Sequence, residues 1–556
     1  MYVIIYVNNK GYKMAVTTHH SNVVDITLPG KIDSLEDALF PLHRQLEGQY
    51  RPLPWPAQMQ RVVVLTEVKG GRGDIAAAAK AIGIMQRICP TLSFDWVLAG
   101  GGGLDPISFS KCEDPSKVSI RYFKSAPLES TPADFLLGGP VKPRWGQDYI
   151  ESGIGKKIAG PIFNFAENAT ESSGLMDRLL PLIARKAVSD VPADTTYQEL
   201  HSYAFPTEAG LGLVAMGLQP GSGVLLDKAR KEAPLSREYC CPSYIAQIQD
   251  EGLRNDILEA MQTTSTPDYD RYSFNFGYAH SPNSWGNFID CVALHEQTKE
   301  VVIVLNQDGE FTHLTTERFR DRIFTEERLA FLEKKGYSSV ILKGVEDEAI
   351  QVAENDRPGR SLTVIVRTSF APSDMAPMQL AAERILATGD NSAVEAFCAR
   401  CQLYLYEDVS NGGCKWRFLQ QQVDLAKTIS PNLGKLLALF GDDRRLEQSS
   451  RDGRMAEIEP LLQDPDLGKA TLALCTHITE NYSFDSVLEG ALKRTAWHHV
   501  IPELATIEAE TLDQPFREGL VTYLQATEAN ETPLQITTLP ELGDRIHAAV
   551  QRFLSK

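Results

Sequence analysis

Long apolar runs are missing from this sequence. No stretch approaches the roughly 20 consecutive apolar residues that a membrane-spanning helix needs, so no span is expected. The opening MYVIIYVNNKGYK has a short apolar run without a basic stretch before it or a small-residue cleavage site, so it does not read as a signal peptide. Cysteine is scarce, nine in 556 residues, and the adjacent Cys240 and Cys241 suit no common disulfide framework. A reducing, cytoplasmic setting is the expectation, with export by a signal-less route left open. Basic residues are outnumbered, 55 Lys and Arg against 73 Asp and Glu, for a formal net charge of −18. Such a surface repels polyanions, which argues against nucleic acid and anionic membranes as partners. A few local donors could still hold a small anion.

Motifs are also scarce. No HExxH, GxSxG or EF-hand loop occurs, and no convincing Ser-His-Asp set. Cys398-x-x-Cys401 with Cys414 invites a zinc reading, but a structural site wants four ligands and no fourth lies near, so core cysteines are expected. His498-His499 lacks a spaced partner. Neither a metal nor a cofactor is expected.

What is present is ordinary globular composition, 43% hydrophobic and 23% charged, in a chain too long for one core. Residues 1–55 read as an N-terminal extension that ends in the Pro-rich RPLPWP. Val62–Leu65 is a β-branched run fit for a buried strand. KGGRGD follows, then the helix former IAAAAKAIGIMQRI, then a strand at Phe94–Leu98: a βαβ unit. Strands are also expected at 158–165 and 223–227, and helices at GLMDRLLPLIARKAV and PSYIAQIQDEGLRNDILEAMQ. The polar, turn-rich TTSTPDYD sets a boundary, giving a first domain at 56–268.

A second α/β cycle follows at 269–430. Strands are expected at 273–280, 301–306, 338–344, 363–370 and 403–408. Helices are expected from Asn287, over TERFRDRIFTEERLAFLEKKG as one long element, over MQLAAERILA, over AVEAFCARC and over GCKWRFLQQQVDLAKTI. Strand–helix alternation twice over predicts two Rossmann-like, doubly wound α/β domains. Residues 431–556 read as a helical C-terminal segment: a lid, a docking module or a brace.

Three segments could carry chemistry. Gly70-Gly71-Arg72-Gly73-Asp74 lies between a strand and a helix, where glycines let a ligand approach and the helix offers free N–H groups. The competing explanation is that Asp74 is only a helix cap. It is neither a Walker A loop nor GxGxxG. The second is Thr388-Gly389-Asp390-Asn391-Ser392-Ala393-Val394-Glu395. Ser392-x-x-Glu395 would make a capping box, which leaves Gly389, Asp390 and Asn391 unexplained. The third is Gly277-Tyr278-Ala279-His280 at a strand end, where open α/β sheets bind ligands. Arg367, also near a strand end, would either clamp a diphosphate or pair with a carboxylate.

The Gly-Asp turn after the first strand, with the polar turn and helix late in the second half, resembles the GT-B glycosyltransferases. The resemblance implies two Rossmann-like halves facing across a cleft, with the acceptor on the N-terminal side and a nucleotide-sugar on the C-terminal side, and no metal. The Gly73-Asp74-Ile75 and Gly389-Asp390-Asn391-Ser392 turns are most similar to those of bacterial protein-arginine rhamnosyltransferases, which carry Gly-Asp-Ile and Gly-Glu-Asp-Ser. By that resemblance Asp390 takes the place of the family's Glu, Asn391 that of its Asp, and Ser392 matches a diphosphate-contacting Ser. A second Asp of that family, four residues before the Gly-Asp-Ile aspartate, is Gly70 here.

The resemblance implies a metal-independent glycosyltransferase; it does not carry over the donor sugar or the acceptor, and a protein side chain is one candidate acceptor. Asp74 and Asp390 would be catalytic. Tyr278, His280, Arg367, Gly389, Asn391, Ser392 and Glu395 would bind the donor, with Gly71 and Gly73 in the acceptor-side loop. A sugar-nucleotide 2-epimerase of the same fold and a non-enzymatic α/β scaffold are the alternatives.

Overall fold

The structure is a computed structural model. It describes residues 2–8, 11–17, 23–28, 60–68, 73–100, 112–122, 135–138, 162–164, 211–213, 217–218, 223–306, 315–344, 349–407, 414–441, 451–486 and 488. The chain forms two compact units: Met1–Leu225 together with Tyr482–Lys556, and Leu226–Asn481.

In the first unit, β1 (Tyr2–Asn8), β2 (Gly11–Thr17) and β3 (Val23–Leu28) form an antiparallel sheet. A parallel sheet follows, made of β4 (Arg61–Val68), β5 (Ser93–Gly100), β6 (Val118–Tyr122), β7 (Phe135–Gly138), β8 (Ile162–Asn164) and β9 (Leu211–Leu213). Its order is β6-β5-β4-β7-β8-β9, so the winding reverses between β4 and β7. Helix α1 (Gly73–Ile88) connects β4 to β5. Four successive alanines, Ala76 to Ala79, favour the helix, and its buried Ala77, Ala81, Ile82 and Met85 join Val62, Val64, Phe94 and Trp96 in one core. The expected βαβ unit is present, and 158–165 contributes only β8. At 223–227 there is a bridge instead of a strand, Val224 pairing with Ser483. There the C-terminal segment enters this unit, and Phe484 and Leu488 complete its core. The expected helix over GLMDRLLPLIARKAV lies outside the described residues, as does the chain from 489 onward.

The second unit starts before the 268/269 boundary expected from sequence. Helices α2 (Lys228–Lys231) and α3 (Glu251–Ala260) belong to it. The reason is specific anchoring. Asp374 accepts hydrogen bonds from Gln249 N at 2.6 Å and Asp250 N at 3.3 Å, and Cys241 N donates to Leu380 O at 2.9 Å.

The sheet of this unit uses β10 (Tyr272–Gly277), β11 (Glu300–Asn306), β12 (Tyr337–Lys343), β13 (Ala349–Glu354), β14 (Arg360–Arg367), β15 (Arg384–Thr388) and β16 (Leu403–Glu407). The order is β13-β12-β14-β11-β10-β15-β16, parallel except for the edge strand β13. The helices are α4 (Pro282–His295), α5 (Thr316–Ile323), α6 (Glu326–Lys334), α7 (Pro372–Ala381), α8 (Asp390–Ala399), α9 (Cys414–Ile429), α10 (Pro431–Gly441), α11 (Arg451–Leu462) and α12 (Leu467–Asn481). The α/β, doubly wound reading holds in both units, and a helical C-terminal region follows the second sheet.

Three local expectations are corrected. The single helix from Thr316 to Gly336 is two, because Thr325 caps a new start with its hydroxyl accepting from Arg328 N at 3.3 Å. The helix that begins near Asn287 begins at Pro282, capped by Ser281. Most consequential, MQLAAERILA is not one helix. Its second half is β15, hydrogen-bonded between β10 and β16 and buried along its whole length. Glu, Arg, Leu and Ala are helix formers, but a central slot in the sheet overrides propensity.

Buried ion clusters brace the unit. On α4, Gly286 leaves room for the Arg328 guanidinium, since a β-carbon there would stand 2.6 Å from Arg328 Cζ. From that seat Arg328 grips the fully buried Asp290 with Nε to Oδ1 at 3.0 Å and Nη2 to Oδ2 at 3.3 Å. At the amino edge of the sheet, buried Arg384 donates to His295 Nδ1 at 2.7 Å, to Ser273 Oγ at 2.7 Å and to Glu296 Oε2 at 3.0 Å. Burial, together with the Arg384 cation, pushes the His295 pKa down to about 3. Burial works against ionised Glu296, yet Arg384 and the N–H groups of Thr298 and Lys299 bring its pKa down to about 2.

Candidate functional site at the switch point of the second sheet

From β10 the chain winds one way to β11 and beyond, and returns to the other side of β10 at β15. The crevice beyond the carboxyl ends of β10 and β15 is therefore the topological switch point, where open α/β sheets take ligands. Register fixes what meets there. Gly277 stands opposite Leu386, and Tyr278 N donates to Leu386 O at 2.8 Å. The loop Tyr278–His280 thus adjoins the turn at Gly389. The structure brings those two sequence-predicted segments together.

Two helices start at this edge, and their N-termini differ. The start of α4 is filled from within the protein. Glu407, at the end of β16, accepts from His280 N at 2.8 Å and Ser281 N at 2.9 Å, and Ser281 Oγ accepts from Asn283 N at 3.2 Å. Glu407 is 2% exposed, and burial raises its pKa against the pull of those hydrogen bonds. One residue earlier, Asn306 Oδ1 at the end of β11 accepts from Ala279 N at 2.8 Å. Three consecutive backbone donors, at 279, 280 and 281, are thereby occupied.

The start of α8 is built differently. Its N-cap is Gly389, at φ 76°, a residue with no side chain to cap with. A positive φ of that kind favours glycine over any other residue. Asp390 opens the helix, 4% exposed, with its Oδ1 accepting from Tyr406 Oη at 3.0 Å. The capping box is not formed. Ser392 is already two residues inside the helix, so its position is that of an interior residue, not a cap. Glu395 turns elsewhere: it meets Arg230 Nη2 at 3.1 Å and takes a long 3.5 Å contact from Asn391 Nδ2. Arg230 also pairs with Asp227.

His280 and Tyr278 lie edge to face with ring centroids 5.8 Å apart, both partly exposed. Arg367 is not brought to this crevice. It ends β14, three strands from β15, and pairs with Asp256, which Lys343 also holds at 2.6 Å. Of the two readings of Arg367, the carboxylate pair is the arrangement seen.

Gly73 and Asp74 lie in the first unit, in the first turn of α1, which starts from the switch strand β4. Gly71 lies outside the described residues. Cys398 and Cys401 are buried in the second unit, 2% and 0% exposed, as core cysteines. Among the described residues no group of three or more His, Cys, Asp or Glu gathers as a metal centre. His498-His499 falls outside the described residues.

Sequence reasoning missed Glu407, Asn306, Tyr406 and Arg230. A usable signal existed for the first two. Each is the polar residue that closes an otherwise apolar strand run, VVIVLN and LYLYE.

No curated protein matches the chain. Among solved structures it is similar to Medicago truncatula UGT71G1 complexed with UDP-glucose, at 13% identity and TM-score 0.41 over 78% of this chain and 98% of that one. It is similar to Anabaena Alr3699/HepE in complex with UDP and glucose, at 10% identity and TM-score 0.37 over 77% and 97%. The glycosyltransferase SnogD from Streptomyces nogalater follows at 10% identity and TM-score 0.35, over 79% and 100%. The profile of a family described as a protein of unknown function (DUF562) matches residues 284–427, a stretch from α4 into α9 that contains Asn306, the Gly389–Glu395 turn and Glu407.

Proposed function

We propose that the chain is a metal-independent glycosyltransferase of GT-B type, which moves a sugar from a nucleotide-sugar to an acceptor. One observation carries this reading. Of the two helices that begin at the switch point, α4 has Glu407 at its start, whereas α8 begins on Gly389, which has no side chain to cap with. A helix N-terminus that starts on glycine at a switch point suits a diphosphate, through its N–H groups and partial positive charge. Charge that develops on the leaving diphosphate would be stabilised there as the sugar's anomeric bond to it breaks. The diphosphate departs with the bonding electrons, and the acceptor atom forms the new bond to the anomeric carbon. Asp74 of the first unit takes the acceptor's proton as general base. Tyr278 and His280 line the donor side of the crevice. A protein side chain is one candidate acceptor.

The test is a thermal-shift screen against UDP, GDP, dTDP, CDP and ADP, with wild type and Ser392→Asp. A ligand at 100 times its Kd should stabilise the fold by about 2.7 kcal/mol. Ser392 lies in the first turn of α8 and is partly exposed. A carboxylate there suits the helix dipole, so the free variant should melt no lower than wild type, yet the charge should repel a diphosphate. A shift in wild type that Ser392→Asp abolishes supports the reading. No shift with any of the five nucleotides overturns it.

A further inference from the structure

Asn306 is fully buried at the carboxyl end of β11, and only half of its amide is used. Its Oδ1 accepts from Ala279 N at 2.8 Å, while its Nδ2 has no hydrogen-bond partner among the described residues. The orientation follows from chemistry: a flipped amide would set two donors against each other at Ala279. Buried amide donors are nearly always paired, and an unmade bond costs stability, so this one needs an explanation. Its place supplies one. Asn306 adjoins the loop Tyr278–His280 and lies two strands from the Gly389 turn in the order β11-β10-β15. At about 4.8 Å per strand, that puts it about 10 Å along the edge from the start of α8. A nucleotide covers such a distance between its diphosphate and its sugar or base.

We infer that Asn306 is a ligand-reading residue, whose Nδ2 donates to an uncharged oxygen (hydroxyl or carbonyl) of the nucleoside or sugar, away from the diphosphate. This rests on the diphosphate site at α8 proposed above. Ala279 holds the amide so that its donor side is fixed before the ligand arrives. The ligand then supplies the acceptor that the protein withholds. Discrimination follows: a ligand without an oxygen at that point would leave the donor buried and unmet.

The experiment measures binding of UDP, GDP, dTDP, CDP, ADP and inorganic pyrophosphate to the full chain, wild type and Asn306→Asp, at pH 8. Aspartate keeps an oxygen for Ala279 N and removes the donor. The nucleoside diphosphate that wild type binds should lose about tenfold in affinity, and pyrophosphate less than about twofold. If Asn306→Asp does not fold, Asn306→Ser, smaller and without the amide, should give the same selective loss. Equal loss for both ligand kinds, or no loss for either, overturns the inference and leaves the diphosphate site standing. Failure of wild type to bind any nucleoside diphosphate removes the site itself, and this inference with it.

Discussion

Glu395 meets the guanidinium of Arg230 at 3.1 Å, inside a buried ion cluster completed by Asp227. The contact ties α8 to α2, so Glu395 holds the helix in place. Glu395→Ala removes one of two partners from a buried cation. It should destabilise the second unit by about 3 kcal/mol, near the lower end for a broken buried pair because Asp227 remains. The triple variant Asp227→Asn, Arg230→Met, Glu395→Met, which leaves no charge of the cluster buried, should recover most of that loss. Urea unfolding of the three proteins measures both, and a triple variant as unstable as the single one would refute the account.

Gly286 and Arg328 make a second, independent prediction. A methyl group at 286 would displace the guanidinium and leave the Asp290 carboxylate buried without its bidentate partner. Gly286→Ala, which raises helix propensity on a surface helix, should here cost about 3 kcal/mol or more. The same substitution made after Arg328→Met, with Asp290→Asn, should cost little. A neutral Gly286→Ala in the wild type would contradict the close approach.

Acid should unfold the second unit in a defined window. His295 ordinarily titrates at 6.5 and is held at about 3, while Glu296 ordinarily titrates at 4.5 and is held at about 2. In both cases the unfolded chain takes up the proton first, so stability is complete above pH 6.5 and falls as pH drops. Of this pair, only His295 contributes between 6.5 and 4.5, at about 1.4 kcal/mol per pH unit. From 4.5 to about 3 both contribute and the slope doubles. Chemical denaturation from pH 7 to 3 tests this, and His295→Gln should flatten the upper part of the curve.

Asp74 and Asp390 separate binding from transfer. Asp74→Asn should leave the nucleotide thermal shift intact and lower transfer at least about 100-fold, the usual weight of a general base. Asp390→Asn keeps an oxygen for Tyr406 Oη and removes a negative charge beside the proposed diphosphate site. Nucleotide affinity should hold or rise, while transfer should fall if the carboxylate acts on the donor. Loss of nucleotide binding in Asp74→Asn would remove it from the role of base.

The alternation of strands and helices was legible because buried parallel strands are continuous β-branched runs, such as VVVL and VVIVLN, that few other structures need. β15 was not legible. RILAT is written in helix-forming residues, and only its pairing with β10 and β16 makes it a strand. The turn at Gly389 is legible from glycine and its polar neighbours, yet Ser392 and Glu395 make a box only if the helix starts three residues later than it does. Arg230, Glu407 and Asp256 act through contacts more than 100 residues away in sequence, which no local pattern records.

The second unit is an insertion. The first unit's chain leaves at Leu225 and resumes at Tyr482, and the Val224–Ser483 bridge brings the two cut ends side by side. On a ribosome this order has a consequence. Phe484 and Leu488, which finish the first unit's core, emerge only after the whole of 226–481 has been made. The first unit to start is therefore the last to have its chain complete, and all of the inserted unit is made before its host can close.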